Sequence, residues 1–277
     1  MQYSIKDIQK IDLDMCKEIL KIFEKYKLRY YIIGGTFLGA IRHKGYIPWD
    51  DDMDIAMPRK DMEKFFEVAE KELPKNLKLI TFENDKHYRY YLPRIVNLDT
   101  EIVEERYAHL NEKSNIFIDI FPIDGTPNNK LLRQIHYFKI LFNRMLVSWY
   151  YIESIEPNRK RSKMEKILIF LGKILPTKKM INPKKRLRKI DNQLKKYKME
   201  DCKYSGTIMG AYRVREIVPT EYFGKPTKYK FEDIYLTGPE KYDEYLTHMY
   251  GDYMKIPDDK KTHYSYKGEE NEKSATI

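Results

Sequence analysis

Apolar residues recur every three or four positions over the first part of the chain, from about residue 4 to 27. This spacing places them on one face of a predicted helix: Ile8, Ile11, Met15, Ile19, Ile22, Phe23 and Tyr26. Ser4, with Asp7 three residues later, predicts the amino-terminal cap of that helix. A second amphipathic helix is predicted from Arg59 to Leu73 and is closed by Pro74.

Shorter runs of β-branched and aromatic residues predict strands, at residues 30–33, 52–57, 77–82, 88–94 and 116–121. Side chains on a strand alternate between its two faces. In the second of these strands, Asp52 and Asp54 are therefore expected on one face, with Met53 and Ile55 turned into the core.

A glycine pair separates the first two strands. Gly34 and Gly35 end the strand at residue 33, and Thr36 is the predicted N-cap of a short helix from 37 to 42. Backbone amides at the start of a helix bind phosphate oxygens, and carboxylates bind Mg²⁺. Two carboxylates on a strand face opposite this turn therefore indicate a metal–phosphate site.

Two other interpretations of the acidic run Asp50–Asp54 compete with a metal–phosphate site. A solvated acidic turn stays open, because runs of charge are usually solvated. A calcium loop of the EF-hand type is disfavoured, because Ile55 stands where that loop requires glycine.

A further carboxylate interrupts an apolar strand. Asp119 lies on the same face as Phe117 and Phe121, and a buried carboxylate is costly unless it is paired or binds a metal. Two interpretations stay open: a third carboxylate of the metal site, or a structural aspartate held by hydrogen bonds. Asp124, which precedes Gly125, is interpreted as part of a turn without a catalytic role.

The charge of the chain is concentrated in one segment. The 277 residues carry a formal net charge of +10, which predicts an anionic partner. Residues 129–200 contain 20 Lys or Arg but only five Asp or Glu, a local excess of 15 positive charges. This segment is interpreted either as helices with a solvated lysine face or as a surface for an anionic membrane or polyanionic acceptor.

The compartment is predicted from the start of the chain and from its cysteines. The first residues are polar, and no apolar run approaches the ~20 residues that cross a bilayer. Cys16 and Cys202 form no metal-like pair, which fits a reducing compartment. We expect a cytoplasmic protein, with peripheral contact to the inner membrane face as a further expectation.

The order of these motifs resembles that of the LicD family of phosphotransferases. A strand ending in Gly-Gly-Thr is followed by Leu-Gly-Ala-x-Arg-His-x-Gly and then by Pro-Trp-Asp-Asp-Asp-x-Asp, over residues 34–45 and 47–54. The resemblance continues at residues 117–124 and 241–254 and is poorest over 128–200.

This resemblance implies an α/β (α+β) fold of the nucleotidyltransferase type, a mixed sheet flanked by helices. We expect a catalytic core over residues 1–127 and a basic helical subdomain over 128–200. Residues 201–277 are expected to complete the catalytic domain, with a flexible tail from about 265 to 277.

The resemblance also assigns roles to residues. Asp52, Asp54 and Asp119 are expected to be catalytic and to bind Mg²⁺ or Mn²⁺. Contacts to the donor or its phosphates are expected from Gly34, Gly35, Thr36, Arg42, His43 and Lys44. Supporting contacts to the metal or substrate are expected from Trp49, Asp50 and Asp51.

Two arginines late in the chain are additional candidates. Arg213 and Arg215 follow a glycine-rich stretch, and guanidinium groups suit bidentate contacts to phosphate. They suit an ordinary surface position equally well, and both interpretations stay open.

Members of the LicD family move phosphocholine or a related phospho-alcohol from a CDP-activated donor to a cell-surface glycan. The resemblance therefore implies a CDP-alcohol donor, with CDP-choline favoured. It implies an acceptor hydroxyl on a glycan or lipid-linked saccharide, such as a teichoic-acid-type precursor. Aromatic faces are expected to hold the trimethylammonium group of choline.

Three other functions compete with this one. A glycosyltransferase that uses Asp-x-Asp with a nucleotide sugar is disfavoured, because it gives no reason for Gly34, Gly35 and Thr36 at the end of a strand. Two alternatives remain. The first keeps the fold but adds NMP from an NTP to a small molecule. The second, from a different class, is a basic module that binds nucleic acid or another polyanion. No nucleic-acid partner is expected, because the basic excess lies in one segment and no RNA-binding signature is present.

Overall fold

A computed structural model describes residues 3–104, 110, 112–155 and 161–256. The tail predicted to be flexible, from about 265 to 277, lies outside these residues. The described chain forms a mixed sheet of seven strands flanked by helices, together with a separate two-stranded sheet. The predicted fold class, a mixed sheet flanked by helices, is confirmed.

The strands are β1 (Tyr31–Ile32), β2 (Met53–Pro58), β3 (Leu77–Ile80), β4 (Arg94–Asn97), β5 (Phe117–Gly125), β6 (Tyr204–Gly206), β7 (Ile217–Pro219), β8 (Thr227–Phe231) and β9 (Ile234–Gly238). The helices are α1 (Ile5–Lys25), α2 (Gly34–Arg42), α3 (Arg59–Glu72), α4 (Lys130–Tyr150), α5 (Lys163–Ile174), α6 (Thr177–Met180), α7 (Pro183–Leu194) and α8 (Tyr242–Tyr250). Between β6 and β7, residues 213–216 form a short 3₁₀ turn.

Strand β5 is the centre of the large sheet. It lies parallel to β2, and it is antiparallel to β4 over its first half and to β6 at its end. The strand order is β1-β2-β5-β4-β3, with β6 and then β7 added at the end of β5. Every residue of β5 is buried except Asp119, which is half-buried. Residues 204–219 thus extend a sheet begun by the first part of the chain, while the division into three domains stays a prediction.

Helix α1 begins as the sequence predicts. The Ser4 hydroxyl accepts the backbone N–H of Asp7 at 3.2 Å, and the Asp7 carboxylate accepts the N–H of Ser4 at 2.9 Å. Its apolar face packs in the main core, where Ile8, Met15 and Ile19 are almost fully buried. Gln9, on the same helix, donates to the carbonyl of Asp50 at 2.7 Å. Helix α1 therefore fixes the loop that leads into β2.

The strand predicted over residues 88–94 is wrong. Strand β4 begins only at Arg94, and the preceding residues bend. Pro93 has no N–H for a strand ladder. The hydroxyl of Tyr88 donates to the carbonyl of Leu92 at 2.5 Å, which stabilises a local fold instead.

The turn predicted at Asp124 and Gly125 is also wrong. Both residues are the end of β5, opposite Gly206 and Ser205 of β6. The turn signal in the sequence failed because the β6 partner comes from a distant part of the chain.

Arg59, the first residue of α3, joins the sheet to the basic helical segment. Its Nε donates to the buried carboxylate of Asp124 at 2.8 Å, and its other nitrogens donate to Asp191 on α7 and to the Tyr91 hydroxyl, both at 3.1 Å. The Tyr91 hydroxyl donates in turn to Asp191 at 2.9 Å. Because breaking a buried ion pair costs ~3–5 kcal/mol, this network holds α7 against the sheet.

The basic segment shares a core with its neighbours. Helices α4 and α7 pack through Tyr137, Ile140, Leu187, Ile190 and Leu194. The same cluster includes Phe82 and Tyr91 from before the segment and Ile208, Met209 and Ile217 from after it.

Within the part of the chain that the structure describes, no helix is both long and apolar enough to cross a membrane.

Candidate active site

The parallel register of β2 and β5 places two predicted carboxylates side by side. Asp54 is the direct partner of Asp119, and residues in register on neighbouring strands project from the same face. Both side chains are half-buried. The predicted strand alternation thus brings two acidic groups from distant parts of the chain together.

Arg94 of β4 continues this row across the sheet. It is the register partner of Asp119, and its Nε donates to Asp119 Oδ1 at 2.9 Å. A second nitrogen donates to the buried carboxylate of Glu104 at 3.1 Å, and the guanidinium lies 3.5 Å from the centre of the Phe117 ring. This ion pair accounts for the burial of Asp119 even without a metal, and it fixes the orientation of that carboxylate.

The sequence interpretation missed Arg94. The sequence does carry a signal for Arg94, because a charged residue in an apolar strand is the same pattern that singles out Asp119. It was overlooked because residues 88–94 were assigned to the wrong strand.

Helix α2 starts earlier than predicted. It begins at Gly34, whose φ is +58°, and the N-cap position belongs to Ile33. The prediction of Thr36 as N-cap is therefore wrong. Its hydroxyl instead accepts the backbone N–H of Asp54 at 2.9 Å, which ties the first turn of α2 to β2.

The two glycines make room for carboxylates. A methyl group on Gly34 would overlap Oδ2 of Asp54, and one on Gly35 would overlap Oδ2 of Asp50. Both acidic groups therefore lie against the amino-terminal turn of α2, where the helix dipole stabilises negative charge. The predicted contact of Gly34 and Gly35 with donor phosphates stays a proposal.

The acidic loop before β2 is buried. Asp50 and Asp51 are buried and Asp52 is half-buried, so the alternative of a solvated acidic turn is wrong. Strand β2 begins at Met53, so Asp52 precedes the strand instead of lying in it as predicted.

Asp12 on α1 lies behind this loop and was not singled out in the sequence. It is fully buried, and neither carboxyl oxygen has a hydrogen-bond partner among the described residues. Burial, and then the nearby charges of Asp52, Asp51 and Asp50, raise the pKa of Asp12 well above its usual value. Burial at this position therefore favours the neutral form of the Asp12 carboxyl group.

The carboxylates of this site suit a magnesium ion that is bound together with substrate phosphates. Among the described residues, no three His, Cys, Asp or Glu side chains are grouped to hold a metal. Mg²⁺ in phosphate-transfer sites is usually bound by one or two carboxylates plus substrate phosphates and water. The carboxylates of Asp54 and Asp119, which are register partners on neighbouring strands, fit that mode of binding, in which the substrate supplies the remaining ligands.

The predicted basic residues after α2 face different partners. Arg42 Nε donates to His43 Nε2 at 2.9 Å, and another nitrogen donates to the carbonyl of Tyr253 at 3.1 Å. Burial and the Arg42 charge lower the pKa of His43, and its ring meets Trp49 edge-on at 6.3 Å. Lys44 is exposed and donates to the carbonyl of Ile41. Arg42 thus fixes the segment after α8 against α2.

Arg213 and Arg215 both lie on the surface. Arg213 is 3.6 Å from Glu165 of α5, and Arg215 Nε donates weakly to the carbonyl of His248 at 3.4 Å. These contacts support the surface interpretation, and a role in phosphate binding stays a proposal.

Tyr250 of α8 connects this late segment to the acidic site. Its ring meets that of Tyr212 edge-on at 6.2 Å. Burial raises the pKa of Tyr250 well above its usual value, with contributions from Tyr212, Tyr245, Asp54 and Asp50. Neither Tyr212 nor Tyr250 was picked out from the sequence, since aromatic residues are too frequent in this chain to single out.

Known proteins share this arrangement of motifs. The family described as "LicD/FKTN/FKRP, nucleotidyltransferase domain" matches residues 27–144, which include β1, α2, β2, β4 and β5. The lipopolysaccharide cholinephosphotransferase LicD of Haemophilus influenzae is 32% identical over 264 residues, covering 90% of this chain and 93% of that protein. The chain belongs to the LicD family.

A more distant relative matches a shorter stretch of this LicD-family chain. The human ribitol 5-phosphate transferase FKRP is 35% identical over 49 residues, which cover 18% of this chain and 10% of that protein. The resemblance inferred from the motifs is confirmed by the Haemophilus match, which also spans the basic segment.

The overlap between Gly34 and Asp54 can be measured with a double-mutant cycle. We expect Gly34→Ala to lower the free energy of unfolding by about 1–3 kcal/mol, from the positive φ and from displacement of Asp54. In an Asp54→Ala background only the backbone strain remains, so the same substitution should cost about 1 kcal/mol less. Urea denaturation of wild type, the two single variants and the double variant gives the coupling free energy between the two positions. Additive changes in the free energy of unfolding would show that the Asp54 carboxylate does not contact Gly34.

Glu216 provides a test of the buried electrostatics. Burial raises the pKa of its carboxyl to about 7, although the backbone N–H of Tyr212 donates to it at 2.6 Å. The folded protein then binds more protons than the unfolded chain between pH 4.5 and about 7. The free energy of unfolding therefore falls as pH rises through that window, because the buried carboxyl must ionise. The difference in free energy of unfolding between Glu216→Gln and wild type should therefore shift by about 2–3 kcal/mol in favour of the variant as pH rises from 5 to 8.

Denaturation across this pH range checks that expectation. The matched control is Glu221→Gln, which removes an exposed carboxylate of the same kind. A stability difference between Glu216→Gln and wild type that does not change with pH would contradict it.

Proposed function

We propose that this protein transfers phosphocholine from CDP-choline to a hydroxyl group of a cell-surface glycan precursor. The observation that carries the proposal is the pairing of Asp54 and Asp119 beside the start of α2. The similarity to a lipopolysaccharide cholinephosphotransferase, which extends over 90% of this chain, supports it. A lipopolysaccharide-type saccharide is accordingly the favoured acceptor, ahead of a teichoic-acid precursor.

In the proposed reaction, the acceptor oxygen attacks the phosphorus that bears choline. The bond from that phosphorus to the bridging oxygen of CMP breaks, CMP leaves, and the acceptor hydroxyl gives up its proton. Such transfers depend on positioning and on neutralising phosphate charge. Mg²⁺ or Mn²⁺, held by Asp54 and Asp119 with Asp52 nearby, supplies that neutralisation when bound.

The chain's own residues position these groups. Arg94 holds Asp119 in one orientation, and Thr36 holds the backbone of Asp54. The first amides of α2 lie at the positive end of the helix, next to these carboxylates, and suit a donor phosphate. Asp119 is the proposed acceptor of the hydroxyl proton, because one carboxylate can both bind a metal and accept a proton.

We propose that the trimethylammonium group is held by aromatic faces close to the acidic site. Tyr212 is half exposed and pairs with Tyr250, whose pKa is affected by Asp54 and Asp50. Trp49 stands beside the acidic loop and is a second candidate. Tyr90 is engaged elsewhere, because its face carries the Arg94 guanidinium at 4.6 Å.

A second donor has some support. The match to a ribitol 5-phosphate transferase favours CDP-ribitol as the alternative, but it covers a small part of the chain. We expect CDP-choline to raise the melting temperature of the protein with Mg²⁺ more than CDP-ethanolamine, CDP-glycerol or CDP-ribitol does.

The proposed setting is the cytoplasm, at the inner face of a membrane. Cys16 and Cys202 are free thiols, as a reducing compartment requires. The excess of 15 positive charges over residues 129–200 favours contact with an anionic membrane surface.

Asp54→Asn and Asp119→Asn should each lower the rate of CMP release from CDP-choline by about 100-fold or more, because each removes a charged ligand of the metal. The assay uses purified protein, Mg²⁺ and a saccharide acceptor that lacks phosphocholine. Asp14→Asn, which changes an exposed aspartate of α1, is the matched control and should keep full activity.

Two results would contradict the proposal. One is full activity in a folded Asp54→Asn variant. The other is release of pyrophosphate from an NTP while CDP-choline is left intact, which would favour the nucleotidyltransferase alternative.

A further inference from the structure

Helix α5 shows an unusual distribution of apolar side chains. It lies entirely within the described residues, and Gly172 is its single buried residue. Gly172 packs directly against the Trp149 ring of α4, so closely that a methyl group there would overlap the ring. Gly172 therefore marks the side of α5 that packs against α4.

The opposite side of α5 is apolar and faces outward. At 100° per residue, one stripe is formed by Met164, Ile167, Phe170, Leu171 and Ile174. Four of these side chains are 59–72% exposed, and Leu171 is 37% exposed. Such a stripe is typical of a helix that has a partner.

Helix α4 carries a second exposed stripe. It packs on α7 through Tyr137 and Ile140. A different face presents Leu131, Ile135, Phe138 and Phe142, whose spacing of three or four residues is again that of one helix side. The rings of Phe138 and Phe142 stack at 5.8 Å without burial.

The charged residues around these stripes are mostly lysines, which indicates an anionic partner. Lys166 and Lys173 lie along the edge of the α5 stripe by the same helical geometry. The single acidic residue of α5, Glu165, caps the helix start and lies 3.6 Å from Arg213. The next helices, α6 and α7, border an open cleft of about 830 Å³ lined by Lys179, Lys184 and Lys185 among others.

We infer that the exposed stripes of α4 and α5 dock into the surface of an anionic lipid bilayer. Apolar side chains enter the boundary between headgroups and acyl chains, while the lysines meet anionic headgroups. A second copy of the chain fits poorly, because two such faces would bring like charges together. A nucleic acid would use the cations but not the aliphatic and aromatic stripes.

The stripes of α4 and α5 are thus the surface for the proposed membrane contact. This assignment rests on the proposed function only in taking the membrane to be the one at which the acceptor is made. It follows that the protein approaches its membrane with α5 in the plane of the bilayer.

Flotation of the full-length protein with vesicles tests the inference. Wild type should bind vesicles that contain phosphatidylglycerol and not vesicles of phosphatidylcholine alone, with binding that weakens as salt rises. Phe170→Asn combined with Ile174→Asn should weaken binding by about tenfold or more. Leu98→Asn combined with Tyr235→Asn removes two exposed apolar side chains outside α4 and α5 and should bind as wild type does.

A second variant separates charge from apolar contact. Lys166→Gln combined with Lys173→Gln should weaken binding to anionic vesicles and reduce its dependence on salt. Circular dichroism confirms that each variant is folded.

Several outcomes would overturn the inference. They are unchanged vesicle binding by the Phe170 and Ile174 variant, equal binding to both kinds of vesicle, or dimerisation of wild type that this variant abolishes. Failure of the proposed function is distinguishable: release of CMP with a water-soluble acceptor should be unaffected by the stripe variants. Asp54→Asn should lose that activity but bind vesicles normally.

Discussion

Two carboxylates placed side by side on a sheet repel each other, and the candidate site is organised around that repulsion. At about 4 Å and an effective dielectric constant of about 20, two like charges cost about 4 kcal/mol. The parallel register of β2 and β5 places the backbones of Asp54 and Asp119 side by side. Arg94 compensates on one side, and the start of α2 compensates on the other. A divalent cation bound with a diphosphate would complete the compensation.

The sequence predicted much of this arrangement because strand alternation is a local property. The period of two identified Asp54 and Asp119 as charges in apolar strands, and the ordered motif identified the LicD family, which the Haemophilus relative confirms. The cap of α1 was predictable for the same reason, since Ser4 and Asp7 are three residues apart.

The features that the sequence did not predict depend on contacts between distant segments. Arg94 was missed because its strand assignment depended on pairing with β5. Thr36 was assigned to a cap, but a neighbouring strand offered its hydroxyl a better partner in the N–H of Asp54. Which side of α5 faces away from the protein likewise depends on a contact between segments, the packing of Gly172 against Trp149 of α4.

The structure separates two kinds of surface. The acidic residues lie among β2, β5 and the start of α2, beside the main core, whereas the exposed apolar stripes lie on helices of the basic segment. Arg59 links the two, because it bonds to Asp124 in the sheet and to Asp191 on α7. This arrangement would let one part of the protein hold a membrane while the other holds a charged donor.

The central claim is that Asp54 and Asp119 jointly bind a divalent ion on the donor diphosphate. Anomalous diffraction from crystals grown with Mn²⁺ and CDP-choline tests it most directly. The account predicts a manganese peak roughly 2.0–2.2 Å from carboxylate oxygens of both residues and from a phosphate oxygen. CDP-choline bound with no peak between the two carboxylates, or with Asp119 held by Arg94 alone, would contradict it.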